Sequence, residues 1–157
     1  MGYKATLHDG STTLSAAAFH YDYSDFQVAQ VIGIVGVIAN AGDATIDGFE
    51  LEVTSNVGDD WTLSAGLTLL DSAYGDFLNT DALQGDAGVL QNKGNPLNKA
   101  PEQSLNVGIV RNMTFDSGAN LALSLNTAYR SRTYFREFGQ IDDSQAAYTV
   151  VNFNANF

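Results

Sequence analysis

Apolar and polar residues alternate along this chain with the period of a β-strand, in one segment after another. In Gly48-Phe49-Glu50-Leu51-Glu52-Val53-Thr54, Phe49, Leu51 and Val53 point to one face of a strand and Glu50, Glu52 and Thr54 to the other. The beat returns at Trp61, Leu63, Ala65, Leu67 and Leu69, and at Leu105, Val107 and Ile109. It returns again at Leu121, Leu123 and Leu125, and at Val151, Phe153, Ala155 and Phe157. Each strand so predicted has an oily side and a wet side. The sheet that they build needs something to cover the oily one.

The pattern predicts strands at about 2–8, 12–31, 37–56, 61–74, 103–115, 119–135 and 147–157, with no convincing helix. Asp9-Gly10, Val57-Gly58-Asp59-Asp60 and Asp116-Ser117-Gly118 are short turns. Residues 75–100 and 136–146 are long loops, and 33–36 is a turn that is short where the alternation calls for a long connection. Short turns at one rim and long loops at the other are the signature of an outer-membrane barrel. Length points the same way. A strand of about 19 residues spans about 60 Å, roughly three times a typical globular strand, whereas about 9–11 tilted residues cross a bilayer. Aromatics gather at strand ends: Phe19, Tyr21, Tyr23 and Phe26; Tyr74 and Phe77; Tyr129, Tyr134 and Phe135; Trp61 and Phe115. They fit interfacial girdles or packing at sheet edges.

The 157 residues are enough for one ordinary domain, and a hydrophobic fraction of 45% argues against disorder. Charged residues are 16% of the chain, below the roughly 25% of soluble domains, which fits a surface partly out of water. A net charge of −11 sets nucleic acid aside as a partner. The acidity fits either plain solubility or a polar lumen and exterior loops whose field favours cations. With no cysteine there is no disulfide and no thiol nucleophile. The apolar run 28–41 is broken by Gln30 and two glycines and is too short for a transmembrane helix. Met1-Gly2-Tyr3-Lys4 leads into a strand-like run with no signal peptide, so either the protein is cytoplasmic or a leader lies outside these residues.

Four stretches resemble the barrel of TonB-dependent receptors, the large outer-membrane importers of scarce nutrients. Ala17-Ala18-Phe19-His20-Tyr21-Asp22-Tyr23-Ser24-Asp25-Phe26-Gln27 is similar to a family strand with aromatics at every second place. Asn40-Ala41-Gly42-Asp43-Ala44-Thr45-Ile46-Asp47-Gly48-Phe49-Glu50-Leu51-Glu52 resembles its N-A-G … G-x-E-x-E strand. Leu63-Ser64-Ala65-Gly66-Leu67-Thr68-Leu69-Leu70-Asp71-Ser72-Ala73-Tyr74 is the third, and Gly94-Asn95-Pro96-Leu97-Asn98-Lys99-Ala100-Pro101-Glu102-Gln103-Ser104-Leu105 resembles its G-x-x-L-x-x-A-P-x-x-S entry to the next strand. Their order and spacing across nearly the whole chain carry the resemblance.

The fold expected is all-β: an antiparallel up-and-down meander of about seven long strands, with 1–157 a partial barrel domain of a larger transmembrane β-barrel. Full barrels of this kind have about twenty-two strands around a plugged lumen. The family's plug domain and TonB box have no counterpart in these residues, so the chain reads as a fragment. The resemblance implies a Gram-negative outer-membrane location, with outer-membrane lipid, the rest of the barrel, the plug and TonB as partners. It implies TonB-energised import of a siderophore, cobalamin or carbohydrate, with this stretch supplying wall and exterior loops and not competent for transport by itself. A soluble all-β binding module, a sandwich with its oily faces packed together, is the rival reading; a porin-like passive channel segment is another.

Candidate chemistry is sparse, and neither an enzyme nor a cofactor is expected. Glu50 and Glu52 share a polar strand face, about 7 Å apart; they read as lumen-lining acids, as Asn152 and Asn154 read as lumen-lining amides, in place of acid/base catalysts. His8 and His20 lack a third ligand at a suitable spacing, so no metal site is expected. Asp71, Asp76, Asp81 and Asp86 read as a solvated loop, without the spacing of a calcium loop. Arg130, Arg132, Tyr134 and Arg136 are an exterior-rim constellation. Guanidinium and ring faces there suit an anionic or aromatic ligand, or else serve rim solvation and pairing with Glu137, Asp142 and Asp143.

Overall fold

The computed structural model describes residues 1–32, 35–40, 42–81 and 89–157. Its strands in chain order are β1 (Gly2–Leu7), β2 (Thr12–Tyr23), β3 (Gln27–Ile32), β4 (Val35–Asn40), β5 (Ala44–Val57), β6 (Trp61–Tyr74) and β7 (Leu78–Thr80). There follow β8 (Val89–Gln91), β9 (Gln103–Thr114), β10 (Asn120–Arg130), β11 (Thr133–Tyr134), β12 (Ser144–Gln145) and β13 (Tyr148–Asn156). Seven of them form one sheet in the order β1-β2-β5-β6-β9-β10-β13, each antiparallel to its neighbours. Helical structure among the described residues amounts to single 3-10 turns at His8–Gly10 and Ile141–Asp143.

Register decides what each face carries. Phe49 stands beside Ala18 and Leu69, Leu67 beside Leu51 and Leu105, and Leu125 beside Ile109 and Phe153. The apolar half of every strand thereby joins one continuous outer face, because cross-strand partners share a face. The inner face carries Glu50 beside Ala17 and Thr68, and Asn126 beside Gly108 and Asn152. Among the described residues no second layer covers the outer face: Phe49 is 38% exposed, Leu69 40% and Phe153 65%. A two-layer sandwich would have sealed these side chains, so the architecture excludes that rival.

The buried core lies elsewhere. Ala44, Tyr74, Phe77 and Leu97 are the buried apolar residues, with Phe26, Val28, Ile46 and Ala100 packed on them. They sit at the long-loop rim, where the segment after β6 folds back over the inner face. The Tyr74 amide donates to the Asn95 carbonyl (2.9 Å), the Gly94 amide to the Tyr74 carbonyl (2.9 Å) and the Leu97 amide to Ser72 Oγ (3.2 Å).

Several expectations need correction. The strands expected at 12–31 and 37–56 each break in two, so β3 and β4 form a hairpin separate from the main sheet. At the breaks Asp25 has φ +56° and Gly42 φ +74°, left-handed conformations that Asp tolerates and Gly favours. A Cβ on Gly42 would also lie 2.8 Å from the Asp76 carbonyl oxygen, so that close approach of rim backbone needs glycine. Of the turn expected at 33–36, Val35 and Gly36 belong to β4, and 33 and 34 lie outside the described residues. Seen from the main sheet, residues 24–43 are the missing long connection, so short and long connections alternate without exception. The segment 75–100 contains β7 and β8, and Asp81 in it is fully buried, whereas Asp71 and Asp76 are exposed as expected; Asp86 lies outside the described residues. Loop 136–146 likewise contains β12. Finally, Phe19, Tyr21 and Tyr23 pair with Gly48, Ile46 and Ala44 and therefore stand on the inner face, not in an outward girdle. The outer face carries Tyr3, Trp61 and Tyr129 instead.

Candidate functional site

Three regions carry chemistry: the inner face, the loop rim and the two ends of the outer face. On the inner face small residues leave a recess of about 460 Å³ over Gly66 and Gly108, walled by Glu52, Ser64, Asn106, Asn126 and Asn152. A Cβ on Gly108 would meet Ser64 Oγ at 2.5 Å and Asn126 Oδ1 at 3.0 Å. Asn154 Nδ2 donates to Ser124 Oγ at 3.5 Å. Register places Glu50, Glu52, Asn152 and Asn154 on this one face. Among the described residues the carboxylates of Glu50 and Glu52 form no hydrogen bond or ion pair with the protein. Higher on the same face an aromatic ladder climbs from Phe19 through Tyr21, Tyr23, Phe26 and Tyr74 to Phe77, with ring centroids 5.2–6.3 Å apart. The Phe19 ring lies over Gly48, where a Cβ would come within 2.1 Å of it.

The rim is held by a polar cluster that joins two loops. Arg136 Nη1 donates to Asp81 Oδ1 at 2.5 Å, and its Nε donates to Asp143. Burial draws the Arg136 pKa down, but hydrogen bonds to Asp81 and then Asp143 outweigh it and hold the guanidinium above its ordinary value. Asn79 Nδ2 donates to the buried Glu137 carboxylate, and Asn95 Nδ2 to the Glu137 carbonyl at 2.9 Å. The Lys99 amide donates to the Tyr134 carbonyl at 2.7 Å.

The rim residues picked out from the sequence fall in one neighbourhood with different commitments. Arg130 ends β10 on the inner face beside Ser104 and Tyr148, and is exposed. Arg132 Nη1 donates to Ser144 Oγ at 2.6 Å, and Tyr134 sits in β11 opposite that serine. Arg136 takes Asp143 as one partner, while its other partner, Asp81, comes from the loop after β6 and was missed. Nothing in the local sequence pairs residues so far apart; Phe77, an aromatic inside a polar loop, was the one hint that this loop packs.

His8 lies in the turn before β2 and His20 near the far end of that strand, so the two histidines do not meet. His20 Nδ1 stands 2.9 Å from Asp47 Oδ1 and its Nε2 3.1 Å from Asp22 Oδ2. All three lie on the outer face beyond the apolar rows, which end at Ala18, Phe49 and Leu69. The hydrogen bond that the ring donates to Asp47, then that to Asp22, raises His20 above the ordinary imidazole value of 6.5. At the other end of the outer face the Arg111 guanidinium lies 5.0 Å over the Trp61 ring.

The family model described as "TonB dependent receptor-like, beta-barrel" matches residues 1–157. The chain belongs to that family. A curated relative, the probable TonB-dependent siderophore receptor PiuA of Acinetobacter baumannii, is 36% identical over 72 residues, which is 46% of this chain and 9% of that protein. Solved receptor structures share the fold. The ferric yersiniabactin uptake receptor FyuA of Yersinia pestis superposes with a TM-score of 0.75 at 18% identity, over 98% of this chain and 21% of that one. The siderophore receptor PiuA of Acinetobacter baumannii gives 0.74 at 22% identity, with the same two coverages of 98% and 21%. The chain thus spans about a tenth of its curated relative and about a fifth of the solved receptors. The sheet is a seven-stranded meander of the kind found in TonB-dependent receptor barrels.

Proposed function

We propose that this chain supplies wall and extracellular loops to a TonB-dependent outer-membrane receptor that imports a ferric siderophore. The observation that carries the reading is the single-layered sheet with a continuous, uncovered apolar outer face and a polar inner face, its short turns all on one rim. Hydrocarbon is the cover that such a face fits, and a barrel is the closure that lets an antiparallel sheet stand in a membrane with no open edge. Siderophore as the substrate class is supported by the names of the relatives, and TonB as the energy source by the family. In this reading 1–157 is part of a barrel domain. Glu50, Glu52, Asn152 and Asn154 line the lumen against a plug. Arg130, Arg132 and Tyr134 face incoming anionic ligand at the exterior rim, and Arg136 fixes the loops that present them.

The test is iron-limited growth of a siderophore-receptor-deficient Gram-negative strain expressing the complete open reading frame that contains these residues. Growth restored by a ferric siderophore and lost on deletion of tonB is the expected result. Uptake that survives that deletion would contradict energised transport, and no uptake of any siderophore class would contradict the substrate.

A further inference from the structure

The two ends of the outer face differ in charge. Beyond the apolar rows on the long-loop side stand His20, Asp22, Asp47 and Asp71. On the short-turn side stands Arg111, in one cross-strand row with Val57, Trp61, Leu123 and Ala155. The chain has seven lysines and arginines. Among the described residues Arg111 alone of these lies on the outer face of the seven-stranded sheet. Lys4 and Arg130 are on the inner face, and the remainder are in the rim loops. No carboxylate pairs with Arg111 among the described residues.

A guanidinium on a lipid-facing strand is costly at mid-membrane and tolerated near the headgroups. Trp61 is the first residue of β6, directly after a short turn, and indole rings favour the headgroup level. Stacking on Trp61 therefore holds the Arg111 charge at the level of the indole, within the first strand residues after the short turn. The charge still needs a counter-ion, and the fork of a guanidinium matches a phosphate. The acidic opposite end repels the same group.

We propose that Arg111, stacked on Trp61, binds the phosphate of a glycerophospholipid headgroup at the short-turn side of the wall. The inference rests on the wall reading above.

Trp61 is the chain's one tryptophan, so its emission reports the site directly. The complete protein that contains these residues, its tryptophans other than Trp61 replaced by phenylalanine, is held in alkyl-glycoside micelles, which carry no phosphate, and titrated with short-chain phosphatidylglycerol. The wild type is expected to give a saturable change that a galactolipid of equal chain length does not give. Arg111→Gln should weaken it about tenfold or more, the loss of a charge-assisted pair, and Arg111→Lys should fall between. Arg111→Gln titrating like the wild type, or the galactolipid matching phosphatidylglycerol, would overturn the site. Inorganic phosphate giving the same change at the same concentration would overturn the lipid as its occupant. A protein that keeps its β-sheet circular dichroism in plain buffer without detergent would overturn the wall reading itself, an outcome distinct from the others.

Discussion

Replacing Arg136 with methionine removes the counter-charge from Asp81 while keeping most of the side chain's volume. Truncating one partner of a buried pair costs about 3–5 kcal/mol. Asp81 has no exposed side-chain surface, but Arg136 is 27% and Asp143 24% exposed. Water therefore compensates part of the loss and Asp143 rehydrates, which puts the cost at about 2–3 kcal/mol. The loss is local, because Arg136 ties the loop after β6 to the loop after β10, and among the described residues its hydrogen bonds and ion pairs reach none of the seven main strands. Hydrogen exchange reads such local openings. The Lys99 amide donates to the Tyr134 carbonyl and the Phe135 amide to the Asp143 carbonyl; both should exchange about 30- to 150-fold faster in Arg136→Met, at about 1.4 kcal/mol per tenfold. Amides of Leu67 and Val107, mid-sheet, should keep their rates. Adding Asp81→Asn should recover at least about 1 kcal/mol, since the buried carboxylate that faced the guanidinium is then neutral. Rim amides at wild-type rates in Arg136→Met would refute the clamp, and equal acceleration of the sheet amides would refute the rim as a separate unit.

Two further predictions concern the upper part of the sheet. Gly48→Val should destabilise the folded chain by about 1–3 kcal/mol through displacement of the Phe19 ring, although valine suits a strand; thermal unfolding in micelles should show Phe19→Ala restoring part of the loss in that background. An unchanged midpoint in Gly48→Val would show that the ring does not need the glycine. His20 should titrate above 6.5 by NMR and return towards 6.5 in Asp47→Asn. Because its folded pKa is raised, its contribution is complete below about 6.5 and is lost as pH rises through the folded value; a midpoint at or below 6.5 would contradict the Asp22–His20–Asp47 geometry.

What could be read from the sequence was whatever repeats with a period of two. Phe49-Glu50-Leu51-Glu52-Val53 fixes both a strand and its orientation, because slipping by one residue would turn every apolar side chain to the wrong face. Strand, face and lumen candidates were therefore legible together. The break at Asp25 and Gly42 was not, although Asn40-Ala41-Gly42-Asp43 is turn-like in composition. What demands glycine there is the approach of the Asp76 backbone from a later loop. The rim core was illegible for the same reason. Asp81 and Arg136 are 55 residues apart, and neither segment is periodic, so an acidic, glycine-rich loop read as solvated although it packs Phe77 and Leu97 against Tyr74. The aromatics at 19, 21 and 23 were legible as one face; which side that face takes follows only from register with β5.

The central claim is that hydrocarbon covers the outer face. The chain has no cysteine, so single cysteines at 49–54 can each carry a polarity-sensitive fluorophore in phospholipid vesicles. Labels at 49, 51 and 53 should be quenched by spin-labelled acyl chains and spared by aqueous iodide, with 50, 52 and 54 showing the reverse. Labels at 49, 51 and 53 shielded from both quenchers would mean that protein, not lipid, lies against Phe49, Leu51 and Val53, and would contradict the account.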